Sequence, residues 1–175
     1  LLKEFDGISG LIRSDQSSLL ACSGVGPAKY ARLCAAMELA RRQALQKASA
    51  ADVLTSSSET RRFLQYHLGS HSAEVFTCLF LDSQHRVLRC EDLFFGTLDG
   101  AAVYPREVAI RALQYGAAAV IFAHNHPSGV AEPSSADRRI TERLCSALSL
   151  LDIRVLDHII VGCGREYSFA EQGLL

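Results

Sequence analysis

The run Val75-Phe-Thr-Cys-Leu-Phe-Leu81, opened by Glu74, holds almost nothing but apolar, β-branched and aromatic side chains. A strand with one wet face alternates polar with apolar residues; a strand this uniform has to be covered on both faces. The chain must therefore supply helices for two sides of a sheet. Around that run the punctuation agrees. Asp82–His85 reads as a turn and Arg86–Phe95 as a second strand, so the two form a hairpin. Pro105 opens a helix that runs to Tyr115 and is closed by Gly116. Ala117–Ala123 predicts another buried strand, His124–Pro133 a Gly/Pro-rich loop, and Ser134 to about Leu151 a long amphipathic helix. Ile153–Gly162 is a further strand, followed by a turn over 162–165. Ser168-Phe-Ala-Glu171 has the pattern of a capped final helical turn. Ser58–Leu68, stopped by Gly69, supplies a helix before the first strand. The expected class is α/β (α+β), a mixed β-sheet flanked by helices.

Residues 1–47 read differently, as a small all-helical module. Ser14 is placed to cap a short helix over Asp15–Ala21, Ser23-Gly-Val-Gly26 to make a tight turn, and Pro27 to start a helix spanning Ala28–Leu45. This part holds seven Lys/Arg against four acids, a balance of +3, and residues 48–175 hold eleven against fifteen, a balance of −4. Between them 48–54 is small, polar and without period, the mark of a linker, so 55–175 forms the second domain. The whole chain of 175 residues has a net charge of −1, which excludes a global basic field for nucleic acid. Its longest apolar run, Ala117–Ala123, is too short to span a bilayer, so no membrane segment is expected. The six Cys include no Cys-x-x-Cys pair, and Cys22, Cys34, Cys78 and Cys145 sit among apolar neighbours. They read as reduced thiols of a cytoplasmic protein. The chain opens on Leu-Leu-Lys-Glu-Phe without Met, as a piece of a longer chain would.

The chemistry concentrates in His124-Asn-His126-Pro-Ser-Gly-Val-Ala-Glu-Pro-Ser134-Ser-Ala-Asp137. Two His two residues apart at the end of an extended strand point to one side. Asp137, in the first turn of the next helix, can add an oxygen. Two nitrogens and a carboxylate leave a fourth position open, which is the composition of a catalytic zinc site rather than a structural one. The same Ser134-x-x-Asp137 is also a helix-start pattern, and the two roles are compatible. A water at such a site needs a base. Glu74, Glu107, Asp82 and Asp99 are the carboxylates available, and spacing does not choose among them. His158 can serve as a fourth ligand, which would close the open site, or as a paired or core His, and the second reading is preferred; His67, His71 and His85 lie in polar surroundings and read as solvated. Cys163 is exposed with nothing to activate it. Gly24-Val-Gly26-Pro27 presents backbone N–H groups at a helix start, flanked by Lys29 and Arg32, where a phosphate can bind.

His124-x-His126, seven residues, Ser134, two residues and Asp137, with Glu74 before an upstream buried strand, resembles the JAMM (MPN+) metalloprotease signature. Phe95-Gly-Thr-Leu-Asp99, Val103-Tyr-Pro-Arg-Glu-Val108, Ala123-His-Asn-His-Pro-Ser-Gly129 and Asp157-His-Ile-Ile-Val-Gly162 are similar to its bacterial RadC branch, also called UPF0758. Leu20–Tyr30 is similar to the helix-hairpin-helix that precedes the JAMM domain there. The resemblance implies a JAMM/MPN-like fold and one Zn²⁺ per chain held by His124, His126 and Asp137. It further implies Glu74 as the base, Ser134 as hydrogen-bond donor to the oxyanion, and hydrolysis of a peptide or isopeptide bond. The helix-hairpin-helix implies weak, non-specific DNA contact through Gly24, Gly26, Lys29 and Arg32. Asn125 stands where deubiquitinating JAMM enzymes carry Ser or Thr, which favours the RadC branch. The alternatives are a non-catalytic DNA-associated (repair- or recombination-linked) protein with a structural metal, and a metal-dependent nuclease. The nuclease would want a basic active-site domain, and 48–175 is acidic.

Overall fold

The computed structural model describes residues 1–175 apart from 6, 8, 9, 12, 13, 51–56, 70 and 97–102. Its elements are α1 (Gln16–Ala21), α2 (Pro27–Ala50), α3 (Ser57–Leu68), β1 (Val75–Leu81), β2 (Val87–Phe95), α4 (Pro105–Tyr115), β3 (Ala119–Asn125), α5 (Ser135–Ser149), β4 (Arg154–Val161) and β5 (Glu166–Ser168). The strands form one sheet in the order β2-β1-β3-β4-β5. All pairs are antiparallel except β3 with β4, which are parallel and joined through α5. The sheet is mixed and flanked by helices, as the sequence predicts.

Both faces of β1 are covered, and strand alternation shows how. Phe76, Cys78 and Phe80 point to the side where Val108 and Ala112 of α4 and Ile140, Leu144 and Leu148 of α5 pack, together with Val120 and Phe122 of β3. Val75, Leu79 and Leu81 point the other way, onto Phe63, Leu64 and Leu68 of α3, with Ala119, Ile121 and Ala123 from β3. Every residue of β1 and β3 is buried. Emptying one ring from this core, as in Phe122→Ala, costs about 3–5 kcal/mol by the usual transfer and cavity terms. α4 ends where Gly116 takes the left-handed conformation, φ 63°, and its N–H closes on the carbonyls of Ala112 and Leu113.

Several expected boundaries move. Asp15, not Ser14, caps α1, accepting from the Ser18 N–H at 2.8 Å; the Ser14 hydroxyl instead donates back to the Leu11 carbonyl. α2 continues to Ala50, five residues beyond Leu45 and into the stretch read as a linker, of which 51–54 lie outside the described residues. β3 starts at Ala119 and runs on through Asn125, so His124 and Asn125 belong to a strand and not to a loop. The segment opened by Ser168 is not helical. Glu166–Ser168 pairs with β4, and the Ser168 hydroxyl donates to Asp157 at 2.6 Å while accepting from the Glu171 N–H at 3.1 Å. Ser168 still makes the expected cap bond, and the Gln172 N–H closes a single turn on the Ser168 carbonyl at 3.3 Å, while the residue itself pairs in the sheet. None of the six Cys, all among the described residues, is in a disulfide; Cys22 and Cys78 are buried, Cys34, Cys90 and Cys145 half-buried, and Cys163 exposed. Among the described residues no helix is long and apolar enough to cross a membrane.

Candidate metal centre

β1 and β3 are antiparallel neighbours with Phe76 opposite His124. Continuing that register sets Val75 opposite Asn125 and Glu74 opposite His126. The upstream carboxylate and the His pair, fifty residues apart in sequence, thus meet at one end of the sheet. Ligand atoms of Glu74, His124 and His126 all lie within 4.8 Å of one another. Asp82 follows the opposite end of β1, Glu107 is half-exposed beside Arg106 at 3.4 Å, and Asp99 lies outside the described residues.

His124 is wholly buried, its ring stacked on Phe76 at 6.3 Å between centroids. His126 sits just past the strand. Its N–H donates to the Val161 carbonyl at 2.9 Å and its Nδ1 lies 2.7 Å from the Val130 carbonyl. A carbonyl only accepts, so Nδ1 of His126 carries a proton, and in the neutral ring Nε2 is left as a lone pair. That loop is held close by Gly162, where a Cβ would come within 2.5 Å of the Gly129 carbonyl oxygen. Only glycine lets the β4–β5 turn lie directly under the loop.

Asp137 comes from the first turn of α5. Ser134 is the N-cap: its hydroxyl accepts from the Asp137 N–H at 3.1 Å and donates to Asp137 Oδ2 at 2.7 Å, and the Ser134 N–H donates to the same oxygen at 2.7 Å. This capping box consumes Oδ2 and leaves Oδ1 buried without a hydrogen-bond partner. Oδ1 lies 3.3 Å from His124 Nε2, which is itself 3.0 Å from His126 Nε2; Asp137 Oδ2 is 3.6 Å from His126 Nε2.

A buried carboxylate oxygen with no donor costs at least about 1–3 kcal/mol. A cation between the three atoms removes that cost. Ligand atoms at adjacent corners of a tetrahedral zinc, each about 2.0–2.1 Å from the ion, are roughly 3.3 Å apart, close to the separations found. The residues therefore fit a metal. The electrostatics agree: burial, then the neighbouring His158 and His126, push His124 well below the ordinary imidazole value, keeping it neutral. The Asp137 carboxylate raises His126. Burial pushes Asp137 up, but His126, His124 and the Ser134 hydrogen bonds outweigh it and hold the carboxyl below its usual range.

Three further residues support the site from outside the expected ligand set. Asn125, almost fully buried, turns away from His124 and ties down the chain around Glu74. Its Oδ1 accepts from the Val75 N–H at 2.8 Å, and its Nδ2 donates to the carbonyls of Ala73 at 3.0 Å and His71 at 3.3 Å. His158 is the paired core His expected: wholly buried, its Nε2 is 2.8 Å from His124 Nδ1. Thr141 lies one turn past Asp137, with Oγ1 2.6 Å from His158 Nδ1. Spacing of i, i+4 from Asp137 is the only sequence signal Thr141 carries.

Elsewhere His67 is not solvated. Its Nε2 lies 2.7 Å from Asp92 Oδ1, its ring stacks on Phe63, and Thr77 donates to the same Asp92 oxygen at 2.6 Å. His71 is half-buried with its ring against His67, and His85 contacts Arg154 at 3.0 Å. In the N-terminal turn Gly24 has φ 78°, Lys29 and Arg32 are exposed, and the Lys29 ammonium donates to the Gly24 carbonyl at 2.7 Å. That hydrogen bond folds Lys29 back onto the turn.

The family model described as RadC-like JAB domain matches residues 54–174. UPF0758 proteins of Marinobacter nauticus and Nitrosococcus oceani are each 55% identical over all 175 residues, which span 78% of the relative's length. One from Thioalkalivibrio sulfidiphilus is 54% identical over the same span.

Proposed function

Because the chain belongs to the RadC-like JAB domain family, we propose that it is a cytoplasmic zinc-dependent hydrolase of peptide or isopeptide bonds. The observation that carries this reading is the convergence of His126 Nε2, His124 Nε2 and the orphaned Asp137 Oδ1. His124, His126 and Asp137 would hold one Zn²⁺. When bound, that ion supplies a Lewis acid that polarises the scissile carbonyl and makes water a nucleophile near neutral pH. Glu74, brought opposite His126, takes the proton of the attacking water. It returns that proton to the amine as the C–N bond breaks. Ser134 donates its hydroxyl to the carbonyl oxygen as negative charge builds there, exchanging its bond to Asp137 Oδ2 for that one. Asn125 keeps the Glu74 backbone in place for this work.

The test joins metal analysis to activity. The purified chain should carry about one zinc, lose it in the double variant His124→Ala/His126→Ala, and cleave members of a peptide and isopeptide library only when loaded. Stoichiometric zinc in the double variant refutes the ligand assignment. Zinc without cleavage of any library member leaves the reading of a non-catalytic, metal-holding protein. For the N-terminal turn we propose a weak phosphate contact with duplex DNA through Gly24, Gly26, Lys29 and Arg32.

A further inference from the structure

Both ring nitrogens of His124 are in use. Nε2 faces His126 and Asp137, and Nδ1 faces His158 Nε2 at 2.8 Å. His158 Nδ1 in turn faces Thr141 Oγ1 at 2.6 Å, and Thr141 Oγ1 lies 2.6 Å from the Asp137 carbonyl oxygen. The four groups make a closed circuit, leaving Asp137 by its carboxylate and returning to its backbone.

A hydrogen-bonded link needs one proton between its two heavy atoms, and the circuit has three protons for four links, so one link goes without. A hydroxyl has one proton to give, a neutral imidazole one, a carbonyl none. His158 is enclosed by the rings of Phe76, Phe122 and Phe169, where an imidazolium is costly, so it is neutral. Two proton arrangements remain. In one, Thr141 donates to the Asp137 carbonyl, His158 donates from Nδ1 to Thr141, and His124 donates from Nδ1 to His158. His124 Nε2 is then a bare lone pair. In the other, Thr141 donates to His158 Nδ1, His158 donates from Nε2 to His124, and the His124 proton sits on Nε2, where it shuts out a metal.

A carboxylate or carbonyl behind a ligating His fixes the direction of that bond by itself, because it only accepts. An imidazole runs either way, so something beyond it must choose. We propose that Thr141 and His158 are a positioning pair that orders the protons of this circuit and so commits the His124 Nε2 lone pair to the metal. The inference rests on the metal reading of the site above. The Asp137 carbonyl, with two lone pairs, accepts the Thr141 hydroxyl alongside its helical bond and thereby frees Oγ1 to accept from His158.

The consequence is that a methyl cannot replace the hydroxyl. In Thr141→Val the loaded state leaves the His158 Nδ1–H buried without an acceptor, whereas the metal-free state escapes by reversing the His158 proton. Zinc affinity, measured on the full chain by competition with a chromophoric chelator, should fall about 10–100-fold, the usual cost of losing such support. Thr141→Ser, which keeps the oxygen, should restore wild-type affinity. Long-range ¹H–¹⁵N correlation on the zinc-loaded wild type should show His158 protonated at Nδ1 and bare at Nε2. Thr141→Val binding zinc within twofold of wild type, or His158 protonated at Nε2 in the loaded protein, overturns the proposal. If Thr141→Val fails to fold, the spectrum of the wild type decides alone. Equal zinc binding by wild type and His124→Ala would instead overturn the metal reading, and this inference with it.

Discussion

Asn125→Ala should be among the most damaging small substitutions at the end of the sheet that carries the candidate metal centre, and its cost can be worked out. The side chain makes three hydrogen bonds, to the Val75 N–H and to the Ala73 and His71 carbonyls, from a position only 4% exposed. Val75 is 1% exposed, so its N–H finds no water when Oδ1 is removed. An unsatisfied buried donor costs about 1–3 kcal/mol, and the carbonyls, nearer to solvent, add roughly 1 kcal/mol together. The sum is about 2–4 kcal/mol, or a Tm lower by roughly 5–15 °C for a chain of this size. Asn125→Asp keeps an acceptor for Val75 but turns a carboxylate oxygen toward two carbonyls, so it should cost at least as much. Thermal and urea melts in the presence of chelator read the stability without a metal contribution, and amide exchange at Val75 should accelerate in Asn125→Ala. The reasoning is refuted if Asn125→Ala melts within about 0.5 kcal/mol of wild type, the range of an ordinary surface change.

His126→Ala should lose zinc yet keep its chelator-treated melting curve close to wild type, because its side chain sits at the rim, 17% exposed; co-loss of zinc and fold would contradict this. Glu74→Gln should retain zinc and lower hydrolysis by ~10²–10⁴, while a fully active Glu74→Gln beside an inactive Glu107→Gln would mean that the wrong carboxylate carries the proton. Burial raises the Asp92 carboxyl, but hydrogen bonds from His67 and Thr77 outweigh it and hold the group below its ordinary value of 3.8. A depressed carboxyl adds stability above its unfolded value that fades as pH falls through the folded one. Urea melts between about pH 5 and 2 should therefore show a shallower acid decline for Asp92→Asn than for wild type, and parallel curves would count against the pairing. DNA binding by fluorescence anisotropy should be weak, steeply salt-dependent and abolished by Lys29→Glu/Arg32→Glu without loss of zinc; unchanged binding in that variant would remove the turn from consideration.

Where a feature is written into a few neighbouring residues, the sequence alone was enough. Pro105 and Gly116 bound α4 because one lacks an N–H the first turn does not need and the other takes a left-handed conformation. Ser134 and Asp137 close a capping box within one turn, and His124 and His126 share a side of one strand, so the three candidate ligands were legible from spacing. Uniform apolar character told that β1 and β3 are covered on both faces. A distant partner changes what a local pattern yields: Ser168 makes its cap bond to the Glu171 N–H, yet its hydroxyl also donates to Asp157 and its backbone joins β4. His67 looked solvated because the sequence around it does not contain Asp92 or Thr77.

Which carboxylate joins the histidines was not decidable from spacing, since Glu74 reaches them only because β1 pairs with β3 in the register that sets Phe76 against His124. That register is chosen by the packing of two helical layers on two faces, a sum over residues far apart in the chain. The same holds for His158 and Thr141: β4 lies parallel to β3 and α5 crosses between them, so His158 comes beside His124 and one helical turn past Asp137 brings a hydroxyl to its other nitrogen. Composition and spacing determined what atoms a metal could use, because ligand chemistry belongs to single residues. Only the tertiary structure decided which way their protons and lone pairs face, because a hydrogen bond's direction is set by what stands at its other end.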